Sequence, residues 1–131
     1  MPVILPITLS AAGAAAILNI WLAVRIGMVR RARHIWMGDG GDTALVARMR
    51  AQANFIEYTP ITLILVGVIE LARPGSPWLL GTAAIYLLGR IAHGLGMDGG
   101  RALPLRMIGA LTTMVVLIGL AIWGISIAAD A

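Results

Sequence analysis

No cysteine and no lysine occur among the 131 residues. The first absence excludes disulfides, thiolate metal ligands and a cysteine nucleophile, so any thiol chemistry must come from a bound molecule. The second leaves all ten basic residues as arginine, at positions 25, 30, 31, 33, 48, 50, 73, 90, 101 and 106. Arginine forks onto carboxylates and phosphates and stays charged when partly desolvated. Charge is scarce overall, at 12% of residues, where a soluble domain carries roughly a quarter. Hydrophobic residues make up 60% of the chain and the mean hydropathy is +0.92. A soluble domain is thereby excluded, and the chain reads as an all-α integral membrane protein. Its length holds about four spans of roughly 20 residues in one domain. The sequence pI near 11.1 would suggest nucleic acid as a partner in a soluble protein, but in a membrane protein it reflects topology.

The apolar runs place spans at about 3–28, 44–72, 78–96 and 103–128. The head of the first, MPVILPITLS, lacks the positive charge of a cleavable signal peptide, so this span is expected to be retained with its N-terminus outside. Small residues at Ala11 to Ala16 permit close helix packing, and Asn19 reads as an interhelical hydrogen-bonding residue. The segment VRRARHIWMGDGGDT then forms a basic turn. Its GDGG lacks the lysine and hydroxyl of a phosphate loop, so Asp42 or Thr43 is expected to cap the second helix. His34 has no second ligand at metal spacing and reads as a surface residue, and no metal site is predicted.

The second span opens on RMRAQANFIEYTP. Helical spacing puts Arg50, Asn54, Glu57 and, beside them, Tyr58 on one face. The following ITLILVGVI carries that face into a membrane, where polar side chains are expensive and call for a ligand, a partner helix or a proton path. Pro60 removes a backbone donor and is expected to kink the helix just beyond Tyr58, while Glu70 and Arg73 close the span. In the third span Arg90 and His93 lie a turn apart near its end. MDGGRALP turns the chain into the fourth span, with Arg106 in its first turns and Gly109, Gly119 and Gly124 available for helix packing.

Four spans put the first and third connections on one side, and these hold or flank nine of the ten arginines, all but Arg73. The positive-inside rule makes that side cytoplasmic and both termini external. Without an organelle signal, the membrane expected is a prokaryotic inner membrane. Arg50, Asn54, Glu57, Arg90, His93 and Arg106 then converge with Arg30 at one depth, a cationic pocket open to the cytosol and flanked by lipid. Such a pocket suits a polyanionic cytosolic molecule meeting a small lipophilic one. Spacing alone leaves open whether Asn54 and Glu57 meet that ligand or pair across helices, and whether Tyr58 packs or binds. Arg50 and Glu57 could also pair with Arg90 or with each other. Arg33, Arg48 and Arg101 read as arginines snorkelling to headgroups.

RAQANFIEYTP, together with GRIAH and the later PLR, resembles the membrane-associated proteins in eicosanoid and glutathione metabolism (MAPEG), whose second helix carries R-A-x-x-N-x-x-E-Y-x-P. The resemblance covers essentially the whole chain, as in a bacterial-type member. It implies a four-helix bundle assembled as a homotrimer, with glutathione as co-substrate held between neighbouring subunits. It implies that Arg50, Gln52, Asn54, Glu57 and Tyr58 contact glutathione, that Arg90 and His93 line the same site, and that Arg30 reaches it from the adjoining subunit. Arg106 would stabilise the thiolate, since a fixed positive charge in a poorly hydrated site favours ionisation of a thiol whose free pKa is about 8.5. The implied activity is that of a glutathione transferase or peroxidase acting on lipophilic electrophiles or lipid peroxides. Two departures qualify it. Met97 stands where many members have tyrosine, and Met107 stands where the prostaglandin-forming branch has serine. The alternative is a non-catalytic membrane protein of the same fold that binds a lipid or a partner.

Overall fold

Three of the four long helices carry proline in the first turn, the second starts on an aspartate cap, and glycine marks the turns. The computed structural model describes residue 2 and residues 4–131 and consists of four long helices, α1 (Pro6–Arg33), α2 (Thr43–Ala72), α3 (Pro77–Gly96) and α4 (Leu103–Ala129), with a 3₁₀ turn at Gly100–Ala102. Pro6 and Pro77 open α1 and α3, and Pro104 sits in the first turn of α4, where a missing N–H costs nothing. The expected start of the first span at Val3 lies outside the described residues. All four helices are long and apolar enough to cross a membrane.

α1 continues past the expected end at residue 28 and takes Arg30, Arg31 and Arg33 into its last turn. Arginine and alanine are good helix formers, and cations favour the negative end of the helix dipole. Arg30 is therefore helical rather than part of the connection. The connection that remains, residues 34–42, turns through Gly38, Gly40 and Gly41 at positive φ. Asp42 caps α2 as expected, its Oδ1 accepting from Leu45 N at 2.9 Å. α2 runs unbroken through Pro60.

The helices form an up-and-down bundle in which α1 packs on α2 and α3, and α4 on α3 and α2. One apolar cluster joins Ile7, Val66, Ile69, Leu79, Tyr86, Val116 and Leu120, and a second joins Ala15, Leu22, Ala51 and Phe55. α3 and α4 cross with almost no space between them. A Cβ at Gly96 would strike the backbone of Leu105 and Arg106, and one at Gly109 would strike Gly89 and His93. In lipid, where apolar burial does not separate helix from solvent, such backbone contact and interhelical hydrogen bonds carry the packing. Gly109 thus packs as expected, whereas Gly119 has open space before it and Gly124 meets Leu65 only at 3.8 Å.

Glu70 lies in the last turn of α2, at the end of the span where it is expected, and faces the bundle interior. It is fully buried. Its Oε1 accepts from Ile7 N at 2.8 Å, and its Oε2 accepts from Thr8 N at 2.8 Å and Thr8 Oγ1 at 2.6 Å. The first N–H groups of a helix have no intrahelical partner and carry partial positive charge. Glu70 of α2 therefore caps α1 from across the bundle, which answers the cost of burying its charge.

Candidate functional site

The residues singled out for binding lie from the end of the bundle carrying residues 34–42 and 97–102 inward, with Glu57 and Tyr58 at the middle of α2. Asn54 and Arg90 meet directly, with Arg90 Nη2 donating to Asn54 Oδ1 at 2.8 Å. Arg90 is 2% exposed, yet among the described residues its Nε and Nη1 have no hydrogen-bond partner, and neither does Nδ1 of the buried His93. Tyr58 and Tyr86 lie near the Arg90 guanidinium, and the Tyr86 hydroxyl also shares a hydrogen bond with Thr59 Oγ1 at 2.9 Å. His93 stands within the field of both Arg90 and Arg106, with its backbone against Gly109. A buried guanidinium with two idle donors is costly unless an acceptor arrives. An anionic ligand fits that need, and a carboxylate matches the fork.

The other residues form separate pieces within one chain. Arg50 and Glu57 face outward and pair loosely, Nη2 to Oε1 at 3.9 Å with both side chains more than half exposed. They thus meet each other, and not Arg90. Arg106 is exposed and lines a groove of about 640 Å³ with Leu103, Pro104, Met107 and Ala110. Gln52 Nε2 donates to Asn19 Oδ1 at 3.2 Å, which confirms Asn19 as an interhelical partner. Arg30 Nη1 donates to the carbonyls of Ile35 at 3.3 Å and Gly38 at 2.8 Å, so its own connection holds it. Met97 packs against the cluster of Ala15, Leu22, Ala51 and Phe55. It fills space where a tyrosine would bring a hydroxyl.

Of the three arginines read as snorkelling to headgroups, Arg33 and Arg48 also have partners within the bundle. Arg33 pairs with Asp42 at 3.1 Å. Arg48 donates Nη1 to Arg25 O at 2.8 Å and Nε to Asp98 Oδ1 at 3.3 Å. Arg101 is exposed in the 3₁₀ turn. Arg25 and Asp98, which the sequence reading passed over, form an ion pair, Nη2 to Oδ2, with Arg25 Nη1 also on Gly94 O at 2.7 Å and its guanidinium over the Trp21 ring at 4.8 Å. The signal available was a charge set in the apolar first span, which demands a partner.

The sequence profile of the MAPEG family matches residues 8–126. The chain is also similar to the inner membrane protein YecN of Escherichia coli strain K12 and of strain O6:H1, each 34% identical over 74 residues. That match takes in 56% of this chain and spans about half, 53%, of the curated relatives.

Proposed function

The chain belongs to the MAPEG family, and from that membership we propose that it is a glutathione-dependent transferase or peroxidase of an inner membrane. The observation that carries the reading is Arg90, buried, hydrogen-bonded to Asn54 and left with two donors unused. Glutathione offers two carboxylates for such donors, an amino group for Glu57, and a thiol in reach of Arg106. Arg50, Gln52 and Tyr58 complete the contacts from α2, and Arg30 from a neighbouring subunit of a homotrimer. The arginine bias of this end supports an orientation toward the cytosol.

The chemistry follows from the thiolate. Arg106 lowers the free energy of the ionised thiol. The sulfur then attacks an electrophilic carbon, forming a C–S bond as the leaving group departs with the bonding pair. With a lipid hydroperoxide, two glutathione molecules supply two electrons and become the disulfide, while the peroxide becomes an alcohol and water. The groove of Met107 and Ala110 beside Arg106 suits a lipophilic co-substrate arriving from the bilayer.

Met97, packed into the α1–α2 cluster in place of a hydroxyl, favours a second reading in which the fold binds a lipid or a partner without catalysis. Purified protein mixed with glutathione separates the two. The enzyme produces thiolate absorbance in the ultraviolet and conjugates chloro-dinitrobenzene, and Arg106→Ala abolishes both. Silence from the wild type, or an equal signal from Arg106→Ala, refutes the assigned chemistry.

A further inference from the structure

Arg25, Asp98 and Arg48 tie three parts of the chain together at the connection that leads into the helix carrying Arg106. Asp98 sits in the connection between α3 and α4, and its two oxygens take one arginine from α1 and one from α2. Arg25 does a second thing. At the end of α3 the backbone tightens, with Asp98 N bonding Leu95 O at 3.2 Å, so Gly94 O is not taken by that amide. Arg25 Nη1 supplies its donor at 2.7 Å, placing a cation at the negative end of the helix. Arg25 is 7% exposed, and a buried charge of this kind is held in place by the cost of unpairing it.

From this clamp the chain turns through Gly99 and Gly100 at positive φ and enters α4 with the Arg106 backbone pressed on Gly96. The turn is rich in glycine and has no side-chain cap of its own. Its position relative to α3 is therefore set by the close α3–α4 packing at Gly96 and Gly109 and by the two arginines on Asp98. We infer that Asp98, held by Arg25 and Arg48, is a positioning residue that fixes Arg106 over the thiol site, an inference that rests on the glutathione reading above. The clamp makes no contact with the ligand. It sets where the Arg106 charge sits, so it governs ionisation of the thiol and leaves the Asn54, Glu57 and Arg90 contacts alone.

The test compares full-length wild type with Asp98→Asn, which keeps the shape and removes the charge, and with Asp98→Glu, which keeps the charge. Arg33→Gln, which breaks the Arg33–Asp42 pair at the same end, is the control. For Asp98→Asn the pH of half-maximal thiolate absorbance moves alkaline by about one unit, kcat at neutral pH falls about tenfold, and KM for glutathione stays within about twofold. Asp98→Glu restores most of the loss, and Arg33→Gln matches wild type. If Asp98→Asn fails to fold, Arg48→Gln removes one arm of the clamp and decides the matter, a smaller alkaline shift supporting the inference and an unmoved profile overturning it. A lowered melting temperature with an unmoved pH profile makes the clamp merely structural and overturns the inference alone. A wild type silent with glutathione overturns both the glutathione reading and the positioning role.

Discussion

Arg90 should affect stability and binding in opposite directions. Without ligand, two of its buried nitrogens lack partners among the described residues, so the free protein carries the cost of a desolvated charge that Asn54 partly answers. Replacing such a group by an apolar one of similar length is often neutral or stabilising. Arg90→Met is therefore expected to hold or raise the thermal midpoint of the ligand-free protein in detergent. The same change removes charge-assisted hydrogen bonds worth about 1.5–3 kcal/mol, so calorimetric affinity for glutathione falls at least about tenfold. A fall in the midpoint with unchanged affinity would make Arg90 a structural residue. Asn54→Leu is the counterpart. It removes the Asn54 Oδ1 acceptor from the guanidinium, and both the midpoint and the affinity decline.

At the scale of elements, the two ends of the bundle are fastened by different means. The α3–α4 crossing at the arginine-rich end has no room for a Cβ at Gly109. Overpacking of this kind costs about 1–3 kcal/mol or more, so Gly109→Leu lowers the unfolding midpoint and displaces His93, whereas Gly119→Ala, with open space before it, leaves the fold intact. At the opposite end Glu70 fastens α1 by accepting from Ile7 and Thr8. Glu70→Gln removes the charge and turns an amide donor toward a backbone donor, a loss of about 1.5–3 kcal/mol that thermal unfolding will register. The helices themselves were legible, because apolar runs end at Pro, Gly and the Asp42 cap, and local signals suffice for those. The α2 motif was also legible, since Asn54 and Glu57 stand out as polar positions entering an apolar run. The fastenings were not. Glu70 acts on a backbone 63 residues away, Arg25 pairs with a carboxylate 73 residues away, and helical periodicity states which face a residue takes without stating which helix lies opposite. Gly89 and Gly96 escaped for the same reason, being ordinary glycines until α4 is laid against them.

For the whole molecule, a single chain leaves the proposed contacts apart. Arg30 is held by its own connection, Arg50 and Glu57 look outward, and Arg106 lines an open groove. If glutathione lies between neighbours of a closed ring, Arg30 comes from one protomer and Arg106 from the next, and two inactive variants should repair each other. Arg30→Ala and Arg106→Ala are each expected to lose most conjugation when expressed alone. Co-expressed in equal amount, they assemble at random, and a working site needs an intact Arg106 on one protomer and an intact Arg30 on its neighbour. Each condition holds half the time in a cyclic assembly, so roughly a quarter of the sites regain activity. The same two proteins purified separately and mixed without subunit exchange regain none, which separates repair inside an assembly from repair in solution. If both residues serve one site within one chain, no co-expressed assembly contains a complete site and activity stays at the level of the single variants. That result would overturn the shared site while leaving the buried Arg90–Asn54 pair as a binding feature of the individual bundle.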